Sequence, residues 1–154
     1  NIEMDMNLEG QRALVRFVKA GGTFISSEYI SYAVDQEGFL QEMRDLVLFS
    51  FKDAIQEDFS LVPLAQKSTH PILEGVSSPI AISAVRVSGA LREFGSQPSE
   101  TLMTDQNGND TLAVRHFAEG TVVNLFITCA FNNDDCLANE SIQRLYTNSV
   151  SFGL

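Results

Sequence analysis

The stretch from Val18 to Tyr29, which reads VKAGGTFISSEY, constrains the fold more than any other part of the chain. Just before it, apolar residues recur at helical spacing and predict a helix over residues 8–20, with Asn7 as its N-cap. Gly21-Gly22 then ends the helix in the left-handed conformation. The β-branched and aromatic residues of Thr23–Ser27 predict a short buried strand. A helix that passes through a tight turn into a buried strand is typical of an α/β sheet.

The turn after this strand is where an α/β enzyme would carry a nucleophile or a phosphate-binding loop. Here the turn reads Ser26-Ser27-Glu28-Tyr29. It contains no glycine that would relieve a strained elbow, and no cysteine. The turn therefore argues mildly against chemistry at this position.

Beyond this segment the pattern is first mixed and then strand-rich after Pro79. Residues 38–51 predict a second helix, residues 68–76 a loop, and residues 141–152 a closing helix. Residues 106–109 and 118–120 predict tight turns. Val122–Phe131 is almost continuously apolar, as a central strand that is covered on both faces should be. The predicted strands, in order, are Thr23–Ser27, Phe59–Leu64, Ile80–Val87, Leu91–Phe94, Glu100–Thr104, Thr111–Phe117 and Thr121–Cys129. We expect Thr23–Ser27, Phe59–Leu64 and Val122–Cys129 to form the parallel part of the sheet.

Length and charge limit the classes of function. A chain of 154 residues has the size of one domain, and it contains no run of 18 apolar residues that could span a bilayer. A formal charge of −10 disfavours binding to nucleic acid or to anionic membranes. The chain begins with Asn and has no signal-like segment, so we expect it to be a piece of a longer protein.

Cysteine usage and two sequons suggest a location outside the cytosol. Cys129 and Cys136 could form a local disulfide, or could be two inert thiols. Asn109-Asp110-Thr111 and Asn139-Glu140-Ser141 are possible glycosylation sites at Asn109 and Asn139. Together these features favour an extracytoplasmic or secreted protein.

Four segments resemble the class I glutamine amidotransferase-like superfamily. The helix with Gly21-Gly22 and its strand resembles the family's "GG" segment, and Thr69–Gly75 resembles its "HPI…G" loop. The hairpin that leads into Gly120–Val123 resembles its "G-x-G-x-V-V" element, and Leu145–Phe152 resembles its last helix. The branch most similar to this chain comprises non-amidotransferase relatives, such as trehalose-utilisation-type domains and β-galactosidase trimerisation domains.

This resemblance implies a flavodoxin-like α/β sheet with helices on both faces and an antiparallel β-rich appendage. The sheet would lack its first βαβ unit, which we expect upstream in sequence, or else another chain would cover the exposed edge. Amidotransferases of this fold carry a cysteine nucleophile in a glycine-flanked elbow, a place that falls here at Ser27 or Glu28. Their catalytic His and Glu follow the last core strand, where this chain has Asn132-Asn133-Asp134-Asp135. Both halves of the glutaminase machinery are therefore absent.

Two weak candidate sites remain, and a third motif is rejected. Ser27 and Glu28 at the end of a strand, with His70 as a base, could form a hydrolase site if the groups lie within hydrogen-bond reach. Asp134 and Asp135 offer oxygen ligands for calcium, although a solvated loop is the simpler interpretation. The run from Asp105 to Asp110 starts like a calcium loop. However, its glycine stands at the fourth position instead of the sixth, and the twelfth residue is His116 where a glutamate is required. We therefore interpret the run as a hairpin tip.

We therefore predict a non-catalytic structural or recognition module of a larger extracytoplasmic protein or assembly. Its partner would be protein, either its own parent chain or identical subunits, and it would bind no nucleic acid and insert in no membrane. No cofactor is predicted, apart from the calcium alternative. The rival hypothesis is a hydrolase or carbohydrate-active accessory domain with a site around Ser27, Glu28 and His70.

Overall fold

A computed structural model describes residues 6–27, 29–128 and 134–153 of the chain. The helices are α1 (Leu8–Lys19), α2 (Tyr29–Asp35), α3 (Asp134–Ala138) and α4 (Glu140–Phe152). The strands are β1 (Thr23–Ser26), β2 (Asp53–Pro63), β3 (Ile80–Ser88), β4 (Glu100–Asp105), β5 (Asp110–Phe117), β6 (Gly120–Leu125) and β7 (Ile127–Thr128). Short 3₁₀ segments lie at Gln41–Leu46, Ala65–Lys67 and Pro71–Leu73. Within these described ranges, no helix is both long enough and apolar enough to cross a membrane.

The strands form one seven-stranded mixed sheet in the order β1-β6-β5-β4-β2-β3-β7. Among the described strands, β1 and β6 run parallel and every other adjacent pair is antiparallel. The predicted α/β class with an antiparallel β-rich part is therefore confirmed. The expectation that Phe59–Leu64 belongs to the parallel part is wrong, because residues up to Pro63 lie in β2 and pair antiparallel with β3 and β4.

Helices cover both faces of the sheet where β1 and β6 lie. Alternate residues of a strand point to opposite faces. Val122 of β6 packs in one apolar cluster with Val18 of α1, whereas Val123 packs in another with Leu145 of α4. All six residues of β6 are buried, as expected for a strand enclosed between two helical layers.

The opening helix and turn are confirmed. The Asn7 side chain accepts a hydrogen bond from the Gly10 amide at 2.8 Å, which caps α1, and Gly21 adopts φ +108°. The Gly120 backbone then packs against this turn. A Cβ at Gly120 would lie 1.9 Å from the Val18 carbonyl oxygen, so only glycine fits there.

The predicted helix over residues 38–51 is wrong. Gly38 and Leu40 both have positive φ, which interrupts an α-helix, and only the 3₁₀ segment Gln41–Leu46 follows. Residues 46–49 are all buried, and a helix with one exposed face could not bury four consecutive residues. Helix α2, which the sequence pattern did not indicate, forms instead directly after β1.

Two predicted strands also need correction. The segment Leu91–Phe94 contributes a single bridge between Leu91 and Phe49 rather than a strand. The apolar run 121–129 does not form one strand, because β6 ends at Leu125 and β7 pairs with β3 at the far edge of the sheet. The Phe126 amide donates to the Thr111 carbonyl at 2.7 Å where the chain leaves β6.

The predicted hairpin tip between β4 and β5 is confirmed. Asp105 is 2% exposed, and its Oδ1 accepts from the amides of Asn107 and Asn109 at 2.8 and 2.9 Å. Its other oxygen accepts from the Asn109 side-chain amide at 2.7 Å. The Asp105 carboxylate thus accepts hydrogen bonds from the residues that follow it, which is the pattern of an Asx-turn at the end of a hairpin.

Candidate functional site

The carboxyl ends of β1 and β6 lie side by side, which is where open α/β sheets bind ligands. The residues there are Ser26 and Asn124, which pair in register across the two strands. Asn124 is buried, and its Oδ1 accepts from the Leu48 amide at 2.6 Å. Its Nδ2 donates to the Ser26 hydroxyl at 2.7 Å and lies 3.4 Å from the Leu46 carbonyl oxygen. Through these hydrogen bonds, Asn124 joins the sheet to the buried segment of residues 46–48.

An apolar cavity of about 300 Å³ lies beside Ser26 and Ser27. Among the described residues its lining is dominated by aliphatic, sulfur-containing and aromatic side chains, and the polar side chains are those of two serines and a tyrosine. The lining residues are Met6, Leu14, Phe24, Ile25, Ser26, Ser27, Ile30, Leu40, Met43 and Tyr146. No histidine and no acidic residue is among them. Glu28, the predicted acid or base next to Ser27, lies outside the described residues.

His70 caps the 3₁₀ segment Pro71–Leu73. The Ile72 amide donates to His70 Nδ1 at 3.2 Å, and the imidazole packs on the ring of Phe152 with 4.8 Å between centroids. Burial lowers the pKa of His70, nearby Glu100 opposes this by raising it, and Lys67 and His116 lower it further. His70 therefore fixes its own loop through this hydrogen bond.

His70 lies at the opposite end of β1 from Ser27. Phe152, which contacts His70, is followed by Gly153, whose Cβ position falls 1.6 Å from the Thr23 hydroxyl oxygen. Thr23 begins β1 and Ser27 follows its end, a separation of about 13 Å at roughly 3.3 Å per residue. His116 is exposed and pairs in register with Thr121, again at the Thr23 end. The structure therefore does not bring an imidazole to Ser27.

Arg115 is a buried cation at 6% exposure on the helical face shared with α1. Its guanidinium donates to the carbonyls of Gln97 and Asp45 at 2.9 and 2.8 Å, and lies 3.7 Å from the centre of the Phe94 ring. Burial lowers the pKa of Arg115, and Asp45 opposes that effect. The carbonyl bonds and the ring contact make this arginine an anchor for the 94–97 loop.

The remaining predicted site residues are only partly described. Asp134 and Asp135 open α3, while Asn132 and Asn133 lie outside the described residues, so calcium binding stays a prediction. Within the described ranges, no group of three or more His, Cys, Asp or Glu side chains is arranged to hold a metal ion. Cys136 is buried at 2% exposure, and its predicted partner Cys129 also lies outside the described residues.

The two sequon asparagines already have structural roles. Asn109 is exposed at the hairpin tip. Asn139 is the N-cap of α4, and its Oδ1 accepts from the amides of Ser141 and Ile142 at 2.9 and 3.3 Å. Glycosylation at either position stays a prediction.

Sequence reasoning missed Asn124 and the apolar cavity. A signal for Asn124 was available, because it is the one amide side chain within the apolar run 122–127. A buried amide in such a run requires partners. The cavity had no such signal, since its lining comes from segments far apart in the chain.

No protein-family model matches this chain, and no curated protein sequence matches it. Solved structures do match. A cytoplasmic protein of Salmonella typhimurium LT2 is similar over 98% of this chain and 63% of its own, with TM-score 0.72 and 16% identity. The chain has the fold of that protein. A second cytoplasmic protein of Salmonella typhimurium matches over 97% of this chain and 62% of its own, with TM-score 0.69 and 12% identity. This chain therefore spans less than two thirds of the length of either one.

The same fold occurs in a β-galactosidase and in a ThuA-like protein. A β-galactosidase from Rahnella sp. R3 matches over 96% of this chain and 21% of its own, with TM-score 0.68 and 16% identity. A ThuA-like protein from Bacteroides uniformis matches over 96% of this chain and 64% of its own, with TM-score 0.67 and 9% identity. At these identities the likeness establishes the fold alone.

Proposed function

We propose that this chain is a non-catalytic structural or recognition module of a larger protein or assembly, of the accessory kind associated with carbohydrate-active enzymes. The observation that carries the proposal is the use of the polar groups at the carboxyl ends of β1 and β6. Asn124 donates to the Ser26 hydroxyl and accepts from the Leu48 amide, and the two imidazoles lie at the other end of β1. A nucleophile at Ser27 has no described base within reach.

The association with carbohydrate-active enzymes is supported by where this fold is found. In the Rahnella β-galactosidase the matched part is 21% of the chain, so there the fold is one portion of a much larger enzyme. A β-galactosidase from Bacillus circulans matches in the same way over 22% of its length. We infer by analogy that this chain is a portion of a larger polypeptide and contributes contacts to it.

The test is a turnover assay with glycoside, ester and glutamine analogues on the wild-type chain, Ser27→Ala and Glu28→Ala. We expect all three proteins to give the same background rate. The rival hydrolase hypothesis predicts measurable turnover that falls at least tenfold in either variant while His116→Ala, at an exposed position, retains it. That result would overturn the proposal.

We also propose an extracytoplasmic location, supported by the two cysteines and the two sequons. The two Salmonella proteins of the same fold are cytoplasmic proteins, so the fold alone does not indicate a cellular location. Thiol labelling of the protein purified from its native source tests this. Unlabelled Cys129 and Cys136 without reductant, and labelling after reduction, are expected, and free thiols would count against it.

A further inference from the structure

The tip of the hairpin between β4 and β5 carries the pair Asn107-Gly108. Both residues are exposed, and Gly108 has φ +84°. A Cβ built at Gly108 would meet nothing within 4 Å, so no neighbouring group crowds the peptide bond between the two residues. Because glycine has no side chain, the backbone nitrogen that follows Asn107 is open to approach. The tip therefore places an amide side chain beside an accessible backbone nitrogen.

Hydrogen bonding distinguishes Asn107 from the other asparagines of the described part of the chain. Its backbone amide donates to Asp105 Oδ1 at 2.8 Å, but its side chain makes no hydrogen bond to any described residue. Each of the other described asparagines has a side chain fixed by at least one hydrogen bond, namely Asn7, Asn109, Asn124, Asn139 and Asn148. Among these residues, Asn107 alone has a side chain that can turn towards its own backbone without breaking a hydrogen bond.

We propose that Asn107 is a site of spontaneous covalent modification, at which the side chain loses ammonia to form a cyclic imide with Gly108. Hydrolysis of the imide then leaves aspartate or isoaspartate at position 107. The proposal concerns the chemistry of the hairpin tip and does not depend on the proposed function.

The reaction uses water and hydroxide from the solvent and involves no oxidation or reduction. Hydroxide removes the proton from the Gly108 backbone nitrogen, and this nitrogen forms a bond to Cγ of Asn107. The bond between Cγ and Nδ2 breaks, and Nδ2 takes a proton from water and leaves as ammonia, which regenerates hydroxide.

Water then adds to one of the two carbonyls of the imide, and the Gly108 nitrogen regains a proton. Cleavage of the new bond to Cγ gives aspartate. Cleavage of the original bond to the backbone carbonyl carbon of position 107 gives isoaspartate, in which the chain continues through Cβ and Cγ.

The turn slows this reaction without preventing it. The Gly108 N–H donates to the Asp105 carbonyl at 3.1 Å, so the turn must open locally before the nitrogen can attack. An exposed tip has few buried contacts, and such segments open at a low free energy. At Asn109 the side chain itself is held, because its Nδ2 donates to Asp105 Oδ2 at 2.7 Å. We therefore expect the modification at Asn107 and much less of it at Asn109.

The products would weaken the end of the hairpin. Isoaspartate adds one atom to the backbone path between Asp105 and Asn109, two residues joined by a bond from the Asn109 amide to Asp105 Oδ1 at 2.9 Å. Either product also adds a negative charge to a chain of formal charge −10, close to the Asp105 carboxylate, which is 2% exposed. Like charges at such a distance repel each other.

The test incubates the purified protein at mildly alkaline pH and follows each asparagine by peptide mass spectrometry, with chromatographic separation of the aspartate and isoaspartate peptides. We expect Asn107 to lose its amide at least about tenfold faster than Asn109, which corresponds to a barrier about 1.4 kcal/mol lower. Loss should be slower at mildly acidic pH, because hydroxide removes the Gly108 proton. Equal rates at Asn107 and Asn109 would overturn the proposal.

Asn107→Gln is the matched variant, because it keeps an exposed amide and Gly108 but would have to close a six-membered ring. It should form acid at position 107 at least about tenfold more slowly than wild type, again a difference of about 1.4 kcal/mol in the barrier. Asn107→Asp supplies the standard for the aspartate product. The same rate of acid formation in Asn107→Gln as in wild type would show that the Gly108 nitrogen does not attack, and would overturn the proposal.

Discussion

The side-chain amide of Asn124 donates a hydrogen bond to the Ser26 hydroxyl, with 2.7 Å between Nδ2 and Oγ. The two residues are 98 positions apart in the chain and sit in register on the parallel pair β1 and β6. Asn124 also accepts from the Leu48 amide, so one side chain ties two strands to a buried loop. Asn124 therefore has a structural role at the carboxyl ends of the strands, where open α/β sheets bind ligands.

Asn124→Leu is expected to destabilise the protein by about 2–4 kcal/mol, because it leaves the buried Leu48 amide without an acceptor. Denaturant unfolding measures the loss. Asn107→Ala at the exposed hairpin tip is the control and should cost about 0.5 kcal/mol or less. Equal stability of Asn124→Leu and wild type would show that the loop does not depend on this amide.

Gly120→Ala is expected to cost about 3 kcal/mol or more, because a Cβ there would lie 1.9 Å from the Val18 carbonyl oxygen and 2.5 Å from that of Gly22. Gly108→Ala provides the comparison. Its Cβ would meet nothing within 4 Å, but φ is +84°, so the cost should be only the left-handed strain of about 1–2 kcal/mol. Thermal unfolding of both variants separates a steric clash from a conformational penalty, and the reverse order of losses would contradict the packing of Gly120.

Thr111→Val is expected to stabilise the protein by about 1 kcal/mol, since the Thr111 hydroxyl is buried and finds no hydrogen-bond partner among the described residues. Thr111→Ser keeps that hydroxyl and removes the methyl group, so it should destabilise by about 1 kcal/mol. Chemical unfolding at neutral pH compares the three proteins. A destabilised Thr111→Val would reveal a partner for the hydroxyl.

Stability should fall as the pH drops from 7.5 to 5, in part through His70. Burial lowers the pKa of folded His70 below its ordinary value near 6.5, so the unfolded chain binds more protons in this range. Stability from neutral His70 is therefore full above the unfolded pKa and is lost as the pH falls through the folded pKa. Protonation at Nδ1 also removes the acceptor for the Ile72 amide.

His70→Asn tests this pH dependence, because an Asn side chain can still accept from the Ile72 amide but does not titrate. Its free energy of unfolding, measured at several pH values, should change less between pH 7.5 and 5 than that of wild type. The charged and titratable neighbours Glu100, Lys67 and His116 remain in place. An unchanged slope in His70→Asn would refute the assignment.

Local rules account for the parts of the fold that were predicted correctly. The cap at Asn7, the left-handed Gly21 and the Asx turn at Asp105 depend on residues within four positions of one another. The failed helix over residues 38–51 had the right apolar content but the wrong period, since all of Leu46–Phe49 is buried. The candidate site could not be predicted for a related reason. His70 contacts Phe152, and the neighbouring Gly153 packs against Thr23 at the start of β1, so residues at the end of the chain keep His70 away from Ser27.

The sequence by itself determined α1, its glycine turn, the strand after it, the hairpins and the last helix, because capping, turn chemistry and periodicity act over a few residues. Only the tertiary structure decided that the apolar run 121–129 divides between β6, beside β1, and β7 at the far edge, and that Asn124 meets Ser26. Those outcomes depend on packing and strand pairing between distant segments, whose free energies no local pattern encodes.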